Sequence, residues 1–507
     1  MKINKYFTGL MLGATLLSSC DMNETPENTI GLDNGLQSVA EVTAERDGLY
    51  SFLRSRCGGG YAVIPDLQSD LFIGTMQNGN SYLAMTTGNI QSDDSDIEGV
   101  WAGYYSAIVQ LNYFLEKVPA FIEENDLTAD ELVTLNRYIA EAKFMRGYYY
   151  YNLANTYCAT YNAATASNPA TGIPVVLDFN PSGDRSTYPG RSTLQATFDQ
   201  VNKDLTEAYD GLLAAETKDG SLNKYDGYLN SYAVAALQAR VALSMADYQT
   251  AYDKAKSVVA SKEFPLATGD DYYNMWIDDD GSELIFAPFG NSSQMGSVPA
   301  TGTIFNQANP VSVKFSPTSA IMQAYAANDI RLESFFTTFF VDYNGASLEV
   351  AAFMKYPGNP AFNSGNQNSY KNLPKPFRTS EQYLILAEAA YNLSNTADAN
   401  KYLNELRAAR IVGFQPVDYT GTTLLEQIKL ERAKELCGEG FRISDLRRWK
   451  QGFTREANYT DLPDMDGYII NLGLITYAAD SYKYVWPIPS YEMTTNPQLV
   501  GQQNPGY

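Results

Sequence analysis

The chain has 507 residues, 45% of them hydrophobic and 13% aromatic, which suits one large or two medium globular domains. A formal charge of −22 excludes nucleic acid and anionic lipid headgroups as partners. The complete absence of histidine excludes His general bases, Ser-His-Asp triads and His-ligated zinc.

The first 19 residues read as a secretory signal: Lys2 and Lys5 form a basic start, and residues 7–17 are mostly apolar or small. The run falls short of the roughly 20 apolar residues that a spanning helix needs. It ends on Leu17-Ser18-Ser19-Cys20, the pattern of a bacterial lipobox, in which the Cys20 thiol carries diacylglycerol as a thioether and becomes the first residue. Each buried acyl methylene contributes about 0.8 kcal/mol, so several chains anchor firmly. Cleavage removes Lys2 and Lys5 and takes the net charge from −22 to −24. Residues 20–35 are polar, contain Pro26 and lack aromatics, so they form a tether. Cys57, Cys158 and Cys437 then remain, which allows at most one disulfide and no disulfide framework.

The mature chain divides into a helical N-terminal part, 36–261, and a C-terminal part, 262–507. The first helix spans 36–57 and stops before Gly58-Gly59-Gly60. Residues 61–95 are irregular. A helix over 97–117 aligns Trp101, Tyr105, Ile108, Leu111 and Leu115 on one stripe, which assigns Trp101 to the core. Thr128, with Glu131 three residues on, caps a long helix reaching about Tyr161. Residues 194–214 and 228–261 are helical. From 262 to 377 the pattern breaks into short strands and long loops, and helices return over 378–393, 396–411 and 422–437 within the region to 450. Ala239, Ala242 and Ala251 repeat the spacing of Ala387, Ala390 and Ala399. Small residues at such steps let antiparallel helices approach closely, as in tetratricopeptide-like pairs.

Four stretches carry a family resemblance: "EAKFMRGYYYYNLANTY" (141–157), "EQYLILAEAAYNL…ANKYLNELRAAR" (381–410), "ERAKELCGEGFRISDLRRW" (431–449) and "VWPIPSYEMTTNPQLVGQQNPGY" (485–507). Together, and in this order behind a lipobox, they resemble the SusD/RagB family of nutrient-binding outer-membrane lipoproteins of Bacteroidetes. The resemblance implies a mainly α fold, a tetratricopeptide-like scaffold of about eight helices bearing a loop-rich, partly β ligand face. It implies a surface-facing, lipid-anchored place on the outer membrane. It also implies a TonB-dependent barrel transporter of the SusC type as partner, and an oligosaccharide ligand, with peptides bound by some relatives.

Residue by residue, these motifs read as structure. Met145, Tyr149, Leu153 and Tyr157 recur every four residues on one helical face, and Arg146 beside them pairs with a carboxylate. Leu430, Ala433 and Cys437 form a stripe, with Glu431, Arg432 and Glu435 supplying ion pairs. Gly440 ends that helix, Trp449 packs back on it, and the proline-rich tail wraps the scaffold.

Sugars are held by aromatic faces and by amide or carboxylate groups on loops above a rigid base. Two stretches qualify. Residues 61–90 offer Asp66, Asp70, Phe72, Gln77, Asn78, Asn80 and Tyr82. Residues 271–309 offer Tyr273, Trp276, Phe289, Asn291 and Gln294, and the segment "SELIF" within them resembles a strand of the family after which its ligand loops commonly lie. The run Asp278-Asp279-Asp280 lacks EF-hand spacing, because Ala287 stands where Glu is needed, and reads as a solvated turn. No cofactor or metal is expected. The expected activity is binding without catalysis. A glycoside hydrolase with two carboxylates and a peptide-binding relative are the rival readings.

Overall fold

A computed structural model describes residues 36–294, 305–306, 311–363, 365, 368–456, 467–470 and 473–507. The signal, Cys20 and the tether lie outside the described residues, as does part of the 271–309 stretch. The N-terminal part contains α1 (Val39–Arg56), α2 (Gly60–Gln68), β1 (Phe72–Gly74), α3 (Leu83–Thr87), α4 (Ser95–Glu124), α5 (Ala129–Tyr157), α6 (Leu194–Lys218), α7 (Ser231–Ser244) and α8 (Tyr248–Ser261). There follow α9 (Gly269–Ile277), β2 (Leu284–Phe286), β3 (Phe305–Asn306), β4 (Ser312–Val313), β5 (Phe315–Pro317), α10 (Ser319–Gln323) and α11 (Ile330–Phe335). A hairpin of β6 (Phe336–Tyr343) and β7 (Ala346–Phe353) leads to β8 (Phe377–Arg378). The last elements are α12 (Thr379–Asn392), α13 (Thr396–Arg410), α14 (Gly421–Glu435), α15 (Arg442–Arg448), β9 (Phe453–Thr454), β10 (Thr476–Tyr477) and α16 (Ser490–Thr495). None of the described helices is long and apolar enough to cross a membrane.

The architecture is mainly helical, as expected. Among the described residues nine helices run fourteen residues or longer, one more than the expected eight. Antiparallel pairs α4–α5, α7–α8 and α12–α13 stack side by side, with α8 packed on α12. All six alanines of the repeated spacing are buried in the one cluster that joins α7–α8 to α12–α13. The Thr128–Glu131 capping box is present on α5. Met145, Tyr149, Leu153 and Tyr157 are fully buried, and Arg146 pairs with Asp204 at 2.7 Å. The tail does wrap the scaffold: Trp486 N–H donates to Thr156 O, and Asn504 Nδ2 donates to the carbonyls of Tyr157 and Trp486.

Four expectations need correction. The helix expected to end at 117 runs on through Pro119 to Glu124, because Val118 and Phe121 bury the last turns against the core. The stretch expected to be irregular over 61–95 holds α2, which tolerates Pro65, and the short α3. Asp279 is buried rather than solvated: it accepts from Asn359 Nδ2, Asn372 Nδ2 and Lys375 Nζ. On α14, Leu430 is 40% exposed, and the inward face carries Glu431, Arg432, Lys434 and Glu435 instead.

That charged face builds an ion network between α14 and the loop-rich region. Glu435 accepts from Arg331, Arg378 and Arg410 at 2.9–3.0 Å, and Glu283 accepts from Arg378 and Arg410 at 2.6 and 2.7 Å. Glu431 joins Arg331 to Arg407. Burial alone would raise the Glu435 carboxyl, but the three guanidiniums outweigh it and hold the group well below the usual range. The strands add only two-stranded pairs. Among them, β1–β5 and β2–β8 tie distant stretches together, and β6–β7 closes on Asn344-Gly345, both at positive φ.

Candidate functional site

The C-terminus of α1 runs into Gly58-Gly59-Gly60, which turns the chain into α2. Gly59 sits at φ +55, a conformation that favours glycine, and a side chain at Gly58 would come within 3.0 Å of Pro374. This close turn opens a cleft of about 500 Å³, the volume of a small-ligand site. The cleft is walled by four stretches far apart in sequence. The end of α1 and start of α2 supply Arg54, Arg56 and Tyr61; α5 supplies Tyr148, Tyr151, Asn152 and Asn155; the 372–376 loop faces the turn; and residues 439–444 close the far side. Tyr104, Tyr484, Trp486 and Gln294 complete it.

Each wall is held by structure beneath it. Tyr61 packs edge-on to Tyr104 at 5.0 Å. Asn152 Nδ2 donates to the carbonyl of Tyr148, and Asn155 accepts from Arg447. Cys57 on the wall is buried, and burial pushes its thiol up to about 12, so it is an inert lining group rather than a nucleophile. Cys158 and Cys437 are also free and buried, the latter as expected of a small hydrophobe. Among the described residues the one carboxylate on the wall is Glu439. It is bound by Lys355 at 2.6 Å and Arg378 at 2.5 Å.

Of the twelve residues singled out in the sequence, Gln294 lines this cleft and the other eleven do not. Asp66 is fully buried and accepts the N–H groups of Gly440 and Arg442, joining α2 to the start of α15. Asp70 forms a two-point pair with Arg442. Phe72 is buried in β1 against Phe353. Gln77 links Tyr468 to the Asp342 carbonyl, and Asn78 receives the Asn80 N–H in a turn. Tyr82 is half-buried against Phe315. Tyr273 reaches the Ile330 carbonyl. Trp276, 2% exposed, lies among Lys355, Lys375 and Arg378 and offers no open ring face. Phe289 packs on Tyr50 and Tyr228, while Asn291 is exposed in a turn with Ser293 and Gln294.

The 271–309 stretch reaches the cleft through its candidate Gln294, and the 61–90 stretch through residues not singled out, Tyr61, Ala62 and Pro65. The α5 wall lies in "GYYYYNLANTY", read above as structure alone. Asn152 and Asn155, amides on an otherwise buried helix, were its available signal. A second cavity, about 440 Å³, has Glu263, Asp271, Asp278 and Asp280 on its lining together with Tyr225 and Phe264.

Residues 343–507 match the SusD family, and residues 64–243 match the family described as starch-binding associating with outer membrane. SusD-like protein P25 of Formosa agariphila is 21% identical over 495 residues, covering 85% of this chain and 87% of its own. SusD-like protein P38 of the same organism is 20% identical over 503 residues, covering 87% and 90%. Among solved structures, a SusD superfamily protein from Bacteroides thetaiotaomicron superposes with TM-score 0.77 at 24% identity, over 92% of this chain and 100% of its own. A laminarin-binding SusD-like protein superposes with TM-score 0.66 at 20% identity, over 92% and 99%.

Proposed function

We propose that this chain, matched by SusD family models over residues 343–507 and 64–243, is a non-catalytic surface lipoprotein that captures oligosaccharide in the cleft beside Gly58–Gly60. In this reading Cys20 anchors it to the outer membrane and a TonB-dependent transporter receives the captured sugar. The observation that carries the reading is the wall itself. Tyr61 on α2, Asn152 and Asn155 on α5, and Gln294 in the turn beyond β2 place a ring face and amides around about 500 Å³. The laminarin-binding neighbour supports a glycan as the occupant.

The same wall argues against hydrolysis. Cleaving a glycosidic bond needs two carboxyl groups roughly 5 to 9.5 Å apart, one of them free to hold a proton. Among the described residues the wall offers Glu439 alone, and Lys355 and Arg378 keep it ionised and occupied. Glycan-array binding followed by assay for new reducing ends tests the proposal. Saturable oligosaccharide binding with no new ends supports it. Cleavage, or binding of peptides in place of sugars, overturns it.

A further inference from the structure

The charges on the cleft wall do not cancel. Arg240 is matched by Glu381 at 2.7 Å, Lys375 by Asp279 at 2.6 Å, and Glu439 by its two cations. Arg54 and Arg56 have no carboxylate partner among the described residues. Arg54 is 7% exposed and gives one donor, Nη1, to the Phe289 carbonyl at 2.5 Å. Arg56 gives Nε to the Gly103 carbonyl and Nη2 to Ser106 Oγ. A guanidinium carries five N–H donors, so both retain donors for a further acceptor. The sequence 294–310, which continues from Gln294 on the wall, holds no Asp or Glu.

A buried cation without a counter-charge is costly, and burial pulls Arg54 below the usual arginine range. The cost is tolerable where a ligand supplies the missing anion. The α2 N-terminus on the same wall adds charge of the same sign: Gly59 provides no side-chain cap, and the first turn has no acidic residue. In a protein of charge −22, an uncompensated positive wall is a local exception that selects its ligand by sign.

We propose that the cleft takes an acidic oligosaccharide, one whose carboxylate or sulfate is received by Arg54 and Arg56. This inference rests on the glycan-binding reading above and narrows it to a ligand class. The test is calorimetric titration with matched pairs: an oligogalacturonide against its carboxyl-reduced form, and a sulfated galacto-oligosaccharide against its desulfated form, with inorganic sulfate as a separate probe. The acidic member of at least one pair is expected to bind about tenfold more tightly than its neutral partner, as charge-assisted bonds imply. Which pair responds distinguishes carboxylate from sulfate. Arg54→Gln and Arg56→Gln are expected to bring the acidic-to-neutral affinity ratio from about tenfold to within about twofold of unity, whatever they do to binding as a whole. Arg54→Lys keeps the charge, and Arg56→Gln, on a less buried side chain, keeps the test decisive if Arg54→Gln misfolds. Equal binding of neutral and acidic members overturns the proposal and leaves the glycan reading standing. Binding of no saccharide overturns both. Saturation by inorganic sulfate without any acidic preference among sugars reduces the site to a small-anion site and also overturns the proposal.

Discussion

Asp66 shows how a residue with the right chemistry can be spent on structure. Its carboxyl is pushed up to about 7, because burial outweighs the N–H donors of Gly440 and Arg442. A group whose folded pKa lies above its unfolded value of 3.8 binds its proton more readily in the folded chain. Its contribution to stability is therefore complete below about pH 4 and is lost as pH rises through 7. Urea unfolding of the wild type and Asp66→Asn should show the wild type losing ground to the variant, by a few kcal/mol at most, between pH 5 and pH 8. A constant difference would refute the assignment. Tyr61→Ala should weaken oligosaccharide binding about fivefold by calorimetry, the loss of one ring face. Loop-like aromatic and amide content does not say which way a side chain turns. Trp276 lies with Tyr272 and Met275 at helical spacing, on the buried face of α9, and that period was the better guide.

At the scale of elements, α14 inverts the ordinary helix pattern by burying charge and exposing Leu430. Removing one partner from a buried ion network leaves the others uncompensated. Glu435→Gln should therefore cost about 3–5 kcal/mol in chemical denaturation, while Leu430→Ala should stay within about 0.5 kcal/mol. Burial raises the neighbouring Glu431, but Arg331, Lys434 and Arg407 outweigh it and hold it at about 2. Its contribution is complete above about pH 4.5 and fades as pH falls toward 2. Gly440 joins α2 to α15 at φ +85, where an added Cβ would lie 2.4 Å from the Ala62 carbonyl. Gly440→Ala should cost about 1–3 kcal/mol and loosen one wall of the cleft, read as weaker binding and a lower denaturation midpoint. The Leu430–Ala433–Cys437 stripe was misread because apolar spacing alone cannot reveal that a helix faces three arginines contributed from elsewhere.

For the whole molecule, the scaffold was legible because it is periodic. Alanines at repeated steps, a capping box and four motifs in order are local signals, and tertiary packing agreed with them. The cleft was not legible, because its walls come from α1–α2, α5, the 372–376 loop and residues 439–444, which only folding brings together. Gly58-Gly59-Gly60 was read as a helix stop, and its second role as a rim is invisible without Pro374 beside it. The proposed anchor acts on this same scale. Cys20→Ser should move the protein from the membrane to the soluble fraction on fractionation of its native host, and unchanged membrane partition would contradict the anchor. The cleft beside Gly58–Gly60, on the proposed function, holds an oligosaccharide intact, and a crystal structure of the protein soaked with an oligosaccharide decides this. The expected density is an uncleaved chain lying against Tyr61, Asn152 and Gln294; a sugar seated elsewhere on the molecule, or one broken into two products, rules the proposal out.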